Sequence, residues 1–449
     1  MPFRRMIWKI SPLPAGRSWI QEAVAAVPID IDERMFYTFG METVAKLTLL
    51  AEQMHLEPAE EVNTHAGPGL LPAPGRGTPP PCGLPEQHGN LGITRAVMPG
   101  GKTIPLLKTL LTSACERDCY YCPFRAGRSY RRATLQPAEM AQVFMDMHRA
   151  GMVEGLFLSS GIIKGGVATQ DRLLATAEIL RQQHQFNGYL HLKIMPGAER
   201  AQVERAMQLA DRISVNLEAP NDRRLALLAP KKQFLTELLP PLQWAEAIRQ
   251  AQPERPRPGR GTATAHLPAW KRNWASTVTQ FVVGAVGESD LELLTTAAYL
   301  HQQLHLRRTY YSTFSPVPDT PLEHLPAGSP LREHRLYQSS FLLRDYGFDL
   351  EDMPFDPAGN LPLALDPKVA WAKANLAEQP VEVNRAGREE LLRVPGIGPK
   401  GADAILAARR RGTLRQVKDL QAIGVVTTRL APFVLLDGSR PGVQLSLFT

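Results

Sequence analysis

The chain predicts an α/β protein built on a parallel sheet, followed by a small all-α domain. Three observations predict it. Strand-like and helix-like segments alternate six times between residues 104 and 346, and such alternation produces right-handed βαβ crossovers and a parallel sheet. Cysteines 115, 119 and 122 directly follow the first of these strands. That is the carboxyl end, where sheets of this class carry their function. From residue 387 a helix, a Gly-x-Gly turn and a second helix follow. Six units are too few for a closed eight-stranded barrel. An open doubly wound sheet and a partial barrel both satisfy the count.

The elements follow in order. Residues 1–40 read as an extension. Glu42 to Glu60 reads as an amphipathic helix with Val44, Leu47, Leu50 and Met54 at helical spacing, and a Pro/Gly-rich loop carrying Cys82 completes an N-terminal segment, 41–100. The sheet domain spans 101–350. Its strands are Leu106 to Thr112, Gly155 to Gly161, Tyr189 to Ile194, Arg212 to Leu217, Val278 to Val283 and Arg308 to Thr313. Its helices are Gln136 to Arg149, Asp171 to Gln185, Arg200 to Ala210, Leu235 to Gln250, Asp290 to Gln303 and Leu331 to Tyr346. A basic, proline-rich insertion over 250–275, with Arg255, Arg257 and Arg260, interrupts the rhythm. It reads either as a nucleic-acid contact or as a solvated loop. A linker (351–380), an all-α domain (381–438) and a tail (439–449) complete the chain.

Bulk properties narrow the function classes. At 449 residues with 44% hydrophobic content, two domains can each bury a core. No apolar run reaches the ~20 residues of a membrane span, and no secretory h-region stands at the N-terminus. These features predict a cytoplasmic protein without a membrane partner. Four cysteines are too few for a disulfide framework. The net charge of +7 weakly favours a polyanionic partner.

Cys115-Glu-Arg-Asp-Cys119-Tyr-Tyr-Cys122 is the most specific motif. Three thiolates this close can hold three corners of a 4Fe–4S cube and leave the fourth iron open. Structural zinc usually takes four ligands, and the only other cysteine is the distant Cys82. The CxxxCxxC spacing, with Tyr121 before the last cysteine, resembles the radical S-adenosylmethionine (SAM) enzymes. The resemblance implies a partial (β/α)6 barrel, a 4Fe–4S cluster on Cys115, Cys119 and Cys122, and SAM chelating the open iron and yielding a 5′-deoxyadenosyl radical.

That resemblance ranks the residues at the strand ends. Ser160 and Gly161 stand where the family commonly has Gly-Gly-Glu facing the SAM amino group, and this chain departs from that pattern. Asn216 and Glu218 alternate with apolar neighbours and so share a face. They suit the ribose or methionyl part of SAM, or an ordinary loop-edge hydrogen bond. Gly284 and Gly287 resemble the segment that meets adenine. Tyr310 and Tyr311 end the sixth strand, either as a stacking surface or as core. Arg125, Arg128, Arg131 and Arg132 follow the cysteines, to attract a phosphate or offset cluster charge.

Pro395-Gly396-Ile397-Gly398-Pro399-Lys400 closely resembles the turn of the helix-hairpin-helix family. The glycines permit a sharp turn, backbone N–H groups at the next helix face phosphate, and Lys400 adds a charge-assisted contact. Such contacts grip the DNA backbone without reading sequence. A degenerate second copy is expected, with Val417 to Leu420 and Thr427 to Leu435 as its helices. The terminal Gln444, Leu445, Leu447 and Phe448 match the peptide that docks bacterial repair proteins on the replicative sliding clamp.

Cys119-Tyr-Tyr-Cys-Pro-Phe-Arg125, Ser214-Val-Asn-Leu-Glu-Ala-Pro220 and Tyr310-Tyr-Ser-Thr-Phe-Ser-Pro-Val-Pro318, followed by the helix-hairpin-helix, resemble over roughly residues 41–435 the DNA modification and repair radical SAM family, whose members are associated with a partner similar to uracil-DNA glycosylases. The resemblance implies DNA-directed radical chemistry and leaves the substrate open. Two rivals remain at this stage: an RNA-modifying radical SAM enzyme, and a clamp-tethered DNA-binding adaptor with a structural or redox cluster.

Overall fold

A computed structural model describes residues 41–54, 91–97, 103–251 and 273–441. Cys82, most of the basic insertion and the terminal peptide Gln444 to Phe448 lie outside the described residues.

Seven strands form one sheet: β1 (Ile93–Val97), β2 (Thr103–Leu110), β3 (Gly155–Ser159), β4 (Tyr189–Lys193), β5 (Arg212–Glu218), β6 (Ser276–Val283) and β7 (Arg308–Thr313). Their spatial order is their order in sequence. β1 is antiparallel to β2, and β2 to β7 are parallel. A doubly wound sheet requires a reversal of strand order. Here every right-handed crossover advances one strand in the same direction, so the helices gather on one face. The sheet curls around the other face into a half-barrel, which decides for the partial barrel.

The crossover helices are α2 (Pro137–Arg149), α3 (Gly165–Glu178), α4 (Arg200–Leu209), α5 (Asp222–Leu228) with α6 (Leu239–Ala251), α7 (Asp290–Leu304) and α8 (Pro330–Asp345). α1 (Met41–Met54) packs on β2 and contributes Leu47, Leu50 and Met54 to the core. Local chemistry sets the starts. Asn221 accepts from Arg224 N at 3.0 Å, and Ser289 and Glu292 form a reciprocal capping box. α3 begins six residues before the expected Asp171 because Gly165 and Gly166 join its first turn. A β-carbon on Gly166 would lie 1.9 Å from the Pro196 carbonyl oxygen, so the glycine serves packing and does not end the helix.

A second core belongs to the C-terminal domain. It comprises α9 (Pro367–Asn375), β8 (Val381–Glu382), α10 (Arg388–Arg393), α11 (Pro399–Ala408), α12 (Val417–Ala422) and β9 (Val434–Leu435). The stretch expected as linker holds α9, capped by Asp366 and packed on α8. The second hairpin also differs from expectation. Thr427 to Leu435 is not a helix; it ends in a 3-10 turn, Ala431–Phe433, and β9 pairs parallel with β8. The Leu430, Phe433 and Val434 side chains are buried there, and the short strand pairing leaves no room for a longer helix.

Among the described residues no helix is long and apolar enough to cross a membrane.

Candidate active site and nucleic-acid interface

The carboxyl ends of the strands surround one open cavity of about 140 Å³. The loop after β2 delivers Cys115, Cys119 and Cys122 to its wall, with Cys119 buried and the other two half-buried. Backbone holds this loop. Residues 161–162 run alongside it: Gly161 N donates to Thr112 O at 2.7 Å and Glu116 N donates to Ile162 O at 2.8 Å. A β-carbon on Gly161 would sit 2.1 Å from the Ala114 carbonyl oxygen, so only glycine allows this approach. From the other side Tyr120 N donates to Leu228 O at 2.9 Å. Arg132 gathers the loop's carbonyls, donating to Ser113 O, Phe124 O and Arg125 O at 3.0, 3.1 and 2.9 Å. Arg128 bonds Pro123 O and Pro318 O. These two arginines frame the loop.

Asn216 and Glu218 of β5 line the same cavity. A bulge interrupts the β5–β6 register between them, and Glu218 adopts a left-handed φ of 65°. Strain of this kind collects at functional sites. Glu218 Oε1 accepts from Lys232 Nζ at 2.9 Å, and the two side chains are 4% and 9% exposed. Lys232 also lies 3.4 Å from the Tyr121 hydroxyl. Burial pushes Lys232 down, but the Cys119 thiol and Glu218 together hold it above the usual lysine range. Burial, reinforced by Glu218, pushes the Tyr121 phenol well up. Burial raises the Cys119 thiol, and Lys232 opposes that shift.

Tyr121, Ser160, Gly161, Asn216 and Glu218 therefore meet in one cavity with the three cysteines. Gly284 and Gly287 do not line it. They turn the chain after β6 with φ of 97° and 68°, and this turn is held by Arg332 on Glu288 (3.2 Å) and Asp290 (2.7 Å) and by Arg224 on Val286 O (2.9 Å). Tyr311 is core, edge-on to Tyr337 at 5.3 Å. Sequence reading missed Lys232 and Gln280, which line the cavity from the segment after α5 and from mid-β6. The only local signal for Lys232 was a Pro-Lys-Lys step, which carries no chemistry by itself.

The donor set fits an iron–sulfur cube. Arg117 N and Ile162 N already point at Cys115 Sγ, both at 3.4 Å, as a thiolate requires. Among the described residues no three His, Cys, Asp or Glu side chains close on a single ion. A cube takes each thiolate at a different iron, so its donors stand wider. In the same cavity, Asn216 Oδ1 and Glu218 Oε2 are buried without a hydrogen-bond partner, as a polar-ligand site leaves them.

Residues 109–248 match the radical SAM superfamily. The chain carries a radical SAM domain. Members of that superfamily are enzymes, and their cofactors are a 4Fe–4S cluster and SAM. Residues 377–429 match the helix-hairpin-helix motif. No curated protein matches the chain. Among solved structures, methylornithine synthase aligns with a TM-score of 0.40 and 14% identity, over 53% of this chain and 62% of that one. The FeFe-hydrogenase maturase from Carboxydothermus hydrogenoformans aligns with a TM-score of 0.40 and 14% identity, over 53% and 51%. A radical SAM methyltransferase from Sphaerobacter thermophilus aligns with a TM-score of 0.35 and 15% identity, over 56% and 75%. This chain thus spans less than two thirds of the synthase and of the maturase.

The helix-hairpin-helix turn packs against the end of the radical SAM half-barrel. Gly396 has a φ of 90°, and a β-carbon there would lie 2.8 Å from Val426 O of the following turn. Pro395 and Ile397 are buried anchors, Gly398 caps α11, and Lys400 is exposed. Behind the turn, buried Lys368 donates from Nζ to Ile397 O at 2.6 Å and lies 4.6 Å over the Tyr346 ring. Arg393 pairs with Asp352 at 2.6 Å and covers Phe348 and Trp371.

Burial pushes the Lys368 amine down to about 7 from 10.5. Below that value folded and unfolded chains both hold the proton. Between 7 and 10.5 only the unfolded chain holds it, so stability rises with pH there. Each pH unit in that window adds up to about 1.4 kcal/mol. Denaturation of the C-terminal domain in the full chain, followed across this pH range, is expected to show that rise. Lys368→Met is expected to flatten it.

Proposed function

We propose that the protein is a radical SAM enzyme of DNA modification or repair. The observation that carries this reading is the union of the two modules. Glu333 near the start of α8 accepts from Thr313 N at the cavity rim (2.9 Å), while Tyr346 at the other end backs the hairpin turn. The helix between them spans roughly 20 Å, about six base steps of a duplex. A nucleic acid that spans this length would reach from one module to the other.

A 4Fe–4S cluster and SAM held there would supply radical hydrogen abstraction, given one electron from an external donor. The chain's own residues do the rest. Cys115, Cys119 and Cys122 would hold the cluster. Tyr121, Ser160 and Gly161 close the wall beside it. Asn216 and Glu218 receive the cofactor's donors, with Lys232 holding Glu218 in place. The half-barrel admits a nucleotide only if it is extruded or single-stranded. Pro395, Gly396, Ile397, Gly398 and Lys400 grip phosphates without reading sequence. The reading extends to a sliding clamp met by Gln444, Leu445, Leu447 and Phe448, and to a uracil-DNA-glycosylase-like partner.

The test is anaerobic reconstitution, a strong reductant, and 5′-deoxyadenosine measured with duplex DNA, single-stranded DNA or structured RNA. Formation stimulated by DNA above RNA is expected. An intact cluster with no deoxyadenosine under any condition sinks the enzyme reading, and equal or greater stimulation by RNA sinks the DNA assignment. Lys400→Ala is expected to weaken binding uniformly across DNA sequences and to lower the salt slope by about one, measured by fluorescence anisotropy.

A further inference from the structure

Gln280 lies midway along β6, 3% exposed, on the face turned into the cavity. Its Oε1 is buried without a partner. Directly beside it in the β5–β6 register stands Asn216, whose Oδ1 is buried without a partner as well. Buried amide oxygens are ordinarily paired, and neither of these two oxygens is served by the surrounding barrel. Gln280 stands three residues before the end of β6, below the carboxyl-end rim where the loop after β2 carries the cysteines.

We propose that Gln280, next to the Asn216 that meets the cofactor, reads the hydrogen-bonding edge of an extruded nucleobase. The inference rests on the nucleic-acid reading above and names the part of the substrate that the cavity addresses. A carboxamide offers a donor and an acceptor in one plane, which matches the mixed edge of a flat heterocycle. Phe124 and Phe314 add apolar walls to the same cavity, suited to the faces of a ring. A sugar–phosphate would call for free cations instead. Lys232 is held by Glu218 at 2.9 Å and Arg117 by Glu237 at 2.8 Å.

The experiment uses the full reconstituted chain and homopolymeric single-stranded DNA of each base as probes. Formation of 5′-deoxyadenosine is measured with and without each probe, alongside the electron paramagnetic resonance signal of the reduced cluster. For the wild type, one base is expected to stimulate formation over the DNA-free rate. Gln280→Met keeps the side-chain length and is expected to lower that preference roughly ten- to hundredfold, with the DNA-free rate and the cluster signal unchanged. Gln280→Glu accepts only, and is expected to shift preference toward bases bearing an amino group. A Gln280→Met protein that keeps the preference overturns the proposal. So does one that loses DNA-free cleavage, because Gln280 then serves the cofactor. A wild type that cleaves SAM but responds equally to every base overturns the proposal while leaving the enzyme reading intact. A wild type with an intact cluster and no cleavage overturns both.

Discussion

Gly161→Ala is expected to strip the protein of its cluster while leaving all three cysteines in place. The added methyl carbon would lie 2.1 Å from the Ala114 carbonyl oxygen, 2.8 Å from the Ala114 carbonyl carbon and 3.2 Å from Cys115 Cβ. Both first contacts are backbone, so no side chain can swing aside. Either the cysteine loop or the end of β3 must move. Movement breaks the Gly161 N–Thr112 O and Glu116 N–Ile162 O bonds and withdraws the Ile162 N–H from Cys115 Sγ. Overpacking of this kind costs about 1–3 kcal/mol in stability. The effect on the site is larger, because three thiolates must reach one cube together. Iron and acid-labile sulfide per chain, measured after reconstitution, are expected to fall to near background. Ser160→Ala is the control: its Oγ bonds only the neighbouring Gly161 carbonyl, so the cluster content should hold. Wild-type iron content in Gly161→Ala would show that the loop tolerates the displacement.

Lys232→Met is expected to have the largest effect on stability. Glu218 and Lys232 form a buried pair, 4% and 9% exposed, at 2.9 Å. Removing one partner leaves a buried carboxylate beside Cys119 with no counter-charge, a change that costs roughly 3–5 kcal/mol. Glu218→Gln alone leaves the ammonium without its carboxylate at the same place. The double variant Lys232→Met/Glu218→Gln removes both charges and is expected to recover most of the loss. Urea denaturation of the four proteins completes the cycle. SAM cleavage should stay low in the double variant, because the carboxylate facing the cavity is gone. Recovery of stability together with full cleavage would make the pair merely structural.

The two variants also separate what was legible from what was not. The cysteine motif was legible because its ligands lie within eight residues of each other, and a cluster's donors are set by local spacing. The six strand–helix units were legible because periodicity is local. The hairpin turn was legible because Gly396 needs a positive φ and carries it at 90°. Other glycines misled for the same reason. Gly284 and Gly287 have the positive φ that invites a cofactor reading, yet they shape a turn held by Arg224 and Arg332. Gly161 was singled out by position as a cofactor contact. The fold adds a packing reason that no neighbouring residue reveals.

Taken alone, the sequence determined which chemistry the chain can hold: three thiolates at cluster spacing, a succession of βα units, and a backbone turn suited to phosphate. Each is a property of residues close in sequence, where bond geometry restricts the outcome. Tertiary structure decided what surrounds that chemistry. It set the consecutive strand order that curls the sheet, placed Lys232 against Tyr121 across 111 positions, and put Gln280 beside Asn216 across a strand pair. It also used Lys368 and Tyr346 to fasten the hairpin to the barrel. Those contacts form only when distant segments bury their apolar faces together, and no local pattern records which segments will meet.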